Sequence, residues 1–235
     1  ILQAAGGVMV AVVLVRGLAE PAAVLVLLVA LCAAWIAGFV NVFNFMDGVN
    51  GISGAHAFIA GVVYACLGWW GHDGFLVPAG AAVAASALAF LPWNSGRARV
   101  FLGDTGSYAL GAALATLAAY AVLRGIPAEA ALGPLVLYIA DIAWTLQRRI
   151  RAGERWRQPH RTHIYQKWCN AGWSHQRVTA TAAATTVLLS LLGAASLGGN
   201  PALRAAADLA GTGVVVAYLR SPALLARRAA RTEPC

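Results

Sequence analysis

Ala22-Ala-Val-Leu-Val-Leu-Leu-Val-Ala-Leu-Cys-Ala-Ala-Trp-Ile-Ala-Gly-Phe-Val40 carries no charge across nineteen residues and runs straight into Asn41-Val-Phe-Asn44-Phe-Met-Asp47-Gly48. About 20 consecutive apolar residues cross the hydrocarbon of a bilayer as a helix, so this stretch reads as a span that ends on two amides and a carboxylate. The pattern recurs along the chain, at roughly 1–15, 22–40, 53–70, 77–92, 106–123, 128–146, 178–197 and 202–219. Composition agrees: 60% of the 235 residues are hydrophobic and 11% charged, with a mean hydropathy of +0.70. The expected class is an all-α, polytopic integral membrane protein with about eight transmembrane helices. One membrane domain covers 1–220, a basic tail 221–235 follows, and no soluble domain, long linker or internal repeat is visible. Several spans are rich in Ala and Gly, which suits close helix packing.

The net charge of +8 would suggest nucleic acid in a soluble protein. Here its placement points to topology instead. If the first helix runs outward, the inside segments are 41–52, 93–105, 147–177 and the chain from 220 onward. They hold 14 of the 17 basic residues, all but Arg16, Arg124 and Arg204. Asp47 and Asp104 then lie on the cytoplasmic face, and nucleic acid is not an expected partner. Cys32, Cys66, Cys169 and Cys235 have no metal or disulfide spacing and read as small apolar or incidental residues.

A carboxylate at membrane depth is costly and marks a functional site by default. On a helix end, Asn41 and Asn44 share a face with Asp47, or nearly so, and the stripe suits a polar ligand or a cation. The alternative is a plain helix terminus followed by Asp-Gly and Asn-Gly turns. In the second loop, Phe101-Leu-Gly-Asp104-Thr-Gly-Ser107 leads into a span. Asp104 is either the helix N-cap or a metal ligand set beside phosphate oxygens at a helix N-terminus.

The third loop begins with Arg148, Arg149, Arg151, Arg155 and Arg157 around Trp156, a composition that suits anionic headgroups at the membrane surface. Trp156, Trp168 and Trp173 are expected at headgroup level. His160, Arg161 and His163 follow, two imidazoles three apart that suit a diphosphate or the orientation of a carboxylate. As a metal site the pair lacks ligands. Asp141, inside the sixth span, must be paired, hydrated or protonated, and is placed as a lining of the same polar cavity. His56 reads as a buried, hydrogen-bonded histidine, and Glu20, Asp73, Glu129 and Asp208 as solvated acids in the outer loops.

Three motifs occur in order: Asn-x-x-Asn-Phe-Met-Asp-Gly-x-Asn-Gly at 41–51, Phe-Leu-Gly-Asp-Thr-Gly-Ser at 101–107, and His-Arg-Thr-His-Ile-Tyr-Gln at 160–166. Together they resemble the polyprenyl-phosphate N-acetylhexosaminyl-1-phosphate transferases (glycosyltransferase family 4). That family includes undecaprenyl-phosphate GlcNAc-1-phosphate transferase and phospho-MurNAc-pentapeptide transferase. The resemblance implies a bacterial inner-membrane enzyme whose active site faces the cytoplasm. It would pass sugar-1-phosphate from a UDP-N-acetylhexosamine to undecaprenyl phosphate and release UMP, with Mg²⁺ as cofactor. It also implies that Asp104 is a metal ligand, that Asn44 and Asp47 line the nucleotide and metal pocket, and that His160 and His163 contact the diphosphate or the uridine. Asn41, Asn50, Arg161 and Asp141 complete the expected substrate-binding set.

Two positions depart from the family's pattern. Asn50 stands where the family often has Asp, which shifts weight onto Asp47. The family's adjacent Asp-Asp pair is absent. Because Ile1 opens inside an apolar segment, the expectation is that two or three N-terminal helices are missing and that this chain alone is inactive. The His-Arg-Thr-His run is more like the branch that initiates O-antigen and surface polysaccharide than the peptidoglycan branch. Three rivals remain at this point: a phospho-MurNAc-pentapeptide transferase, a cation path through Asp47, Asp104 and Asp141, and a non-catalytic scaffold of a polysaccharide assembly complex. The sugar, the choice between direct attack and a phospho-enzyme, and a homodimer are left open.

Overall fold

The computed structural model describes residues 2–154 and 162–232, with side chains from residue 3 as far as residue 224. Ten α-helices follow one another: α1 (Leu2–Val15), α2 (Ala22–Met46), α3 (Ile52–Trp70), α4 (Leu76–Asn94), α5 (Gly103–Leu123), α6 (Ala128–Leu132), α7 (Val136–Arg151), α8 (Ile164–Asn170), α9 (His175–Ala194) and α10 (Pro201–Thr232). A 3₁₀ turn, Gly133–Leu135, joins α6 to α7 into one span, and no strand occurs among the described residues. Seven of these segments are long and apolar enough to cross a membrane. The eighth expected span corresponds to α1, whose 14 residues reach only about 21 Å at 1.5 Å per residue.

Small residues let the helices touch backbone to backbone. A Cβ on Gly61 of α3 would fall 2.6 Å from the Ala84 nitrogen of α4, and one on Gly80 of α4 would fall 2.5 Å from the Ala65 nitrogen. Neither position admits a side chain, so α3 and α4 close into a tight pair. On the other flank α2 lies against α5, where Gly111 meets Val40 and Phe43. The core that results is aromatic at its centre, with Phe39, Phe43, Tyr64 and Tyr138 fully buried. His56 sits among them as a buried histidine, stacked on Tyr138 at 3.7 Å with Nδ1 3.4 Å from Thr186 Oγ1.

The polar segments gather at one end of the bundle. Asn50 Nδ2 donates to Gly96 O (2.9 Å), the Gly51 amide to Asn94 Oδ1 (2.8 Å), and Thr179 Oγ1 to Asn50 O (2.9 Å). Those bonds tie the α2–α3 and α4–α5 connections to each other and to the start of α9. At the opposite end two of the acids expected to be solvated are engaged. Asp73 accepts from the Phe75 and Leu76 amides and from Tyr120 Oη, and Glu129 pairs with Arg204.

Helix boundaries differ from the expected loops in one direction. α2 continues through Asn41 and Asn44 to Met46, α7 reaches Arg151, α8 lies within the third loop, and α10 runs unbroken through Pro222 to Thr232. Polar residues at the end of an apolar run do not stop a helix, because the backbone ladder continues for as long as the side chains find partners. Residues 221–232 of the expected tail thus continue α10 as helix.

Candidate active site

Asn44, Asp47, Gly48, Val49, Asn50, Asn94, Phe101, Gly103 and Asp104 surround one cavity of about 370 Å³ at the polar end of the bundle. Asn44 and Asp47 reach it from the end of α2, Asn50 from the turn before α3, Asn94 from the end of α4, and Asp104 from the first turn of α5. Asp104 is not the N-cap. Leu102 occupies that position, and Asp104 sits one residue inside the helix. There a carboxylate still favours the positive end of the helix dipole, and its side chain is left to face the cavity.

Asn44 fixes that side chain. Its Nδ2 donates to Asp104 Oδ1 at 3.1 Å and to Ser107 Oγ at 2.8 Å. Gly51, at φ +83°, takes the left-handed conformation that turns the chain from Asp47 into α3. Burial pushes the carboxyl of Asp47 above the usual carboxylate range. Ser53 opposes the shift without meeting full hydrogen-bond geometry, and its buried Oγ has no partner among the described residues.

A second polar group lies behind the cavity. Asp141 is fully buried and four kinds of donor converge on it. These are His163 Nδ1 (3.0 Å), the Ile164 amide (3.2 and 3.1 Å to the two oxygens), Tyr218 Oη (2.6 Å) and Thr145 Oγ1 (3.2 Å). Where Asp141 is the acceptor, His163 carries its proton on Nδ1. His163 stacks on Tyr165, with ring centroids 5.8 Å apart and planes at 12°. Tyr165 Oη in turn donates to Phe45 O at 3.0 Å, next to Asp47. Gly48 meets that same hydroxyl so closely that any Cβ there would collide with it. Burial, with the charges of Asp141 and Asp47, raises Tyr165 and keeps it a neutral donor.

The expected site residues thus fall into three groups. Asn44, Asp47, Asn50 and Asp104 share the cavity wall. His163 and Asp141 pair with each other, and Tyr165 links them to the cavity wall. Asn41 does not line the cavity: its Nδ2 donates to Ala37 O (2.7 Å) and Gln3 Oε1 (3.1 Å). His160 and Arg161 lie outside the described residues. Sequence reasoning passed over Asn94, Ser107, Tyr165 and Tyr218. The first three lie inside or beside the quoted motifs, whereas Tyr218 is 77 positions from its partner and had no local signal.

Among the described residues no three side chains of the His, Cys, Asp or Glu type gather as metal ligands. Asp47 and Asp104, on one cavity wall beside a helix N-terminus, would nonetheless suit a divalent ion of the kind held by one or two carboxylates. Cys32, Cys66 and Cys169 are free thiols.

Comparisons with known proteins agree with this geometry. The glycosyl transferase family 4 profile matches residues 2–122, which is 121 of the chain's 235 residues. The chain is 34% identical over 171 residues to the decaprenyl-phosphate N-acetylglucosaminephosphotransferase of Mycobacterium leprae, covering 63% of this chain and 43% of that protein. It is 30% identical over 218 residues to the same-named protein of Mycobacterium tuberculosis, covering 81% and 54%. A phospho-N-acetylmuramoyl-pentapeptide-transferase of Geobacillus thermodenitrificans is 31% identical over 165 residues, covering 67% and 48%. The chain therefore spans about half the length of the curated relatives it matches. With its multi-pass helical bundle and three motifs in order, the chain belongs to glycosyl transferase family 4.

Proposed function

We propose that the protein transfers N-acetylhexosamine-1-phosphate from a UDP-sugar to a polyprenyl phosphate, with undecaprenyl phosphate as the acceptor, and releases UMP. In this reaction an oxygen of the lipid phosphate bonds to the phosphorus that carries the sugar. The bond from that phosphorus to the bridging oxygen breaks, and UMP leaves with the electron pair. The observation that carries the reading is the convergence of Asn44, Asp47 and Asp104 on one cavity at the N-terminus of α5. Phosphoryl transfer asks mainly for positioning and charge neutralisation. Backbone N–H groups at the start of α5 present a positive end to a diphosphate. Asn44 holds Asp104 in place, and the His163–Asp141 pair backs the cavity wall through Tyr165. Asp47 and Asp104 would hold Mg²⁺, which supplies neutralisation of the phosphate charge when bound.

The matched relatives include both GlcNAc-phosphate and phospho-MurNAc-pentapeptide transferases. The His-Arg-Thr-His run supports the first kind, with initiation of O-antigen or another surface polysaccharide as its role. The excess of basic residues around the polar end supports a site on the cytoplasmic face of the inner membrane. The test is Mg²⁺-dependent release of UMP from UDP-GlcNAc and undecaprenyl phosphate by membranes carrying the protein as its whole gene encodes it. Asp104→Ala should lower it by at least about a hundredfold, the scale of losing a principal electrostatic element of the site. Turnover of UDP-MurNAc-pentapeptide in preference to UDP-N-acetylhexosamines would replace the finer reading with the peptidoglycan one. Absence of UMP from either donor would sink the transferase reading altogether.

A further inference from the structure

The turn that carries Asp47 to the cavity is held from outside its own segment. Asp47 is the C-cap of α2, and the last carbonyls of a helix have no partner within it. Phe45 O is one of these, and it accepts from Tyr165 Oη of α8, 120 positions away, at 3.0 Å. Tyr165 is fully buried, and its hydroxyl has a second partner that orients it. Gln166 Oε1 accepts from the His163 amide (3.1 Å), which leaves Gln166 Nε2 as the end that meets Tyr165 Oη (3.0 Å). A side-chain NH₂ only donates, so the hydroxyl proton is directed at Phe45 O.

Gly48 marks the same contact independently. Gly51 needs its glycine for a positive φ, whereas Gly48 does not lie in the left-handed region. What a side chain at position 48 would meet is Tyr165. Its Cβ would collide with Oη and fall 3.2 Å from Cε2 and Cζ of the ring. The glycine therefore makes room for the phenol. Tyr165 thus touches the chain on both sides of Asp47, at Phe45 and at Gly48. Behind it the ring stacks on His163, which is bonded to Asp141.

We propose that Tyr165 is a positioning residue for the transfer reaction: its hydroxyl clamps the Phe45–Gly48 turn and so sets where the Asp47 carboxylate stands in the cavity. Tyr165 is not among the residues that line the cavity, so it acts through Asp47. Its consequence for catalysis rests on the transferase reading, whereas the clamp itself rests on the contacts alone.

The test uses the protein as its whole gene encodes it, in membranes for UMP release and in detergent for hydrogen exchange. Tyr165→Phe removes the hydroxyl alone. Tyr64→Phe is its match, since Tyr64 is equally buried and its Oη donates to Ala131 O of α6 at 3.0 Å, away from the cavity wall. Tyr165→Phe should lower UMP release about tenfold and raise the Mg²⁺ concentration for half-maximal rate, the lower end of what an outer partner of a metal ligand is worth. Tyr64→Phe should leave the Mg²⁺ requirement unchanged. Exchange of amides 47–51 should quicken in Tyr165→Phe and not in Tyr64→Phe. Gly48→Ala should also slow the reaction. Adding Tyr165→Phe to it removes the atom that the new methyl meets, so the double variant should release UMP faster than Gly48→Ala alone. Equal Mg²⁺ shifts in the two Phe variants, parental exchange at 47–51 in Tyr165→Phe, or a double variant as slow as the product of the single losses would each overturn the proposal. No UMP from the parental protein would instead remove the transferase reading, and the exchange arm would still decide the clamp.

Discussion

At the residue scale the site turns on Asn44, because one amide holds two partners from another helix. Its Nδ2 donates to Asp104 Oδ1 and Ser107 Oγ, so the amide decides where the Asp104 carboxylate points. Removing a group that orients a metal-binding carboxylate costs about 10- to 100-fold in activity or metal affinity. Asn44→Ala should therefore lower UMP release by that factor and raise the Mg²⁺ concentration needed for half-maximal rate. Asn41→Ala should leave the Mg²⁺ requirement unchanged, since Asn41 bonds Ala37 and Gln3 instead. Equal Mg²⁺ shifts in the two variants would contradict the assignment. The sequence made both asparagines look alike, because a spacing of three gives a shared face without saying which neighbouring helix each meets. That depends on α1 lying beside Asn41 and α5 beside Asn44, a matter of packing and not of local pattern.

At the scale of elements, α8 is held in place by buried polar bonds more than by length. It has seven residues, too short to persist on apolar contact alone. His163 heads it, with its backbone amide bonded to Gln166 Oε1 at 3.1 Å. Asp141 of α7 takes the His163 ring and the Ile164 amide, Tyr218 of α10 closes on the same carboxylate, and Trp168 Nε1 donates to Ser221 Oγ at 2.8 Å. Asp141→Ala would leave these donors buried and unpaired, at a cost of about 3 kcal/mol or more. Tyr218→Phe removes one hydroxyl alone and should cost about 1–2 kcal/mol. Hydrogen exchange of the α8 amides should speed up in both variants, more in the first, while the α3–α4 pair stays protected. Uniform acceleration through the whole chain would mean that α8 is not a separately secured unit. Asp141 was legible as a buried acid in need of a partner, since its apolar flanks demand one. Its partners were not, because Tyr218 and His163 come from distant segments.

At the scale of the whole molecule, the bundle has two unlike ends. One carries the cavity and the Asp141 cluster. The other carries short connections in which Asp73 caps α4 and Glu129 meets Arg204. Hydropathy made the number and rough position of the helices readable, because an apolar run long enough to span a bilayer has few other uses. Alternate connections then had to fall at the same end, which is why three motifs far apart in sequence gather there. The direction of that end is the remaining inference, and it rests on the basic residues. Arg97 is exposed at the cavity end and Arg124 at the other. In a background with Cys32, Cys66, Cys169 and Cys235 replaced by Ala, a membrane-impermeant thiol reagent should label Arg124→Cys in intact spheroplasts. Arg97→Cys should be labelled only after the membrane is opened. The reverse pattern would put the cavity outside the cell, away from any cytoplasmic pool of nucleotide sugar, and the proposed reaction would fail with the topology.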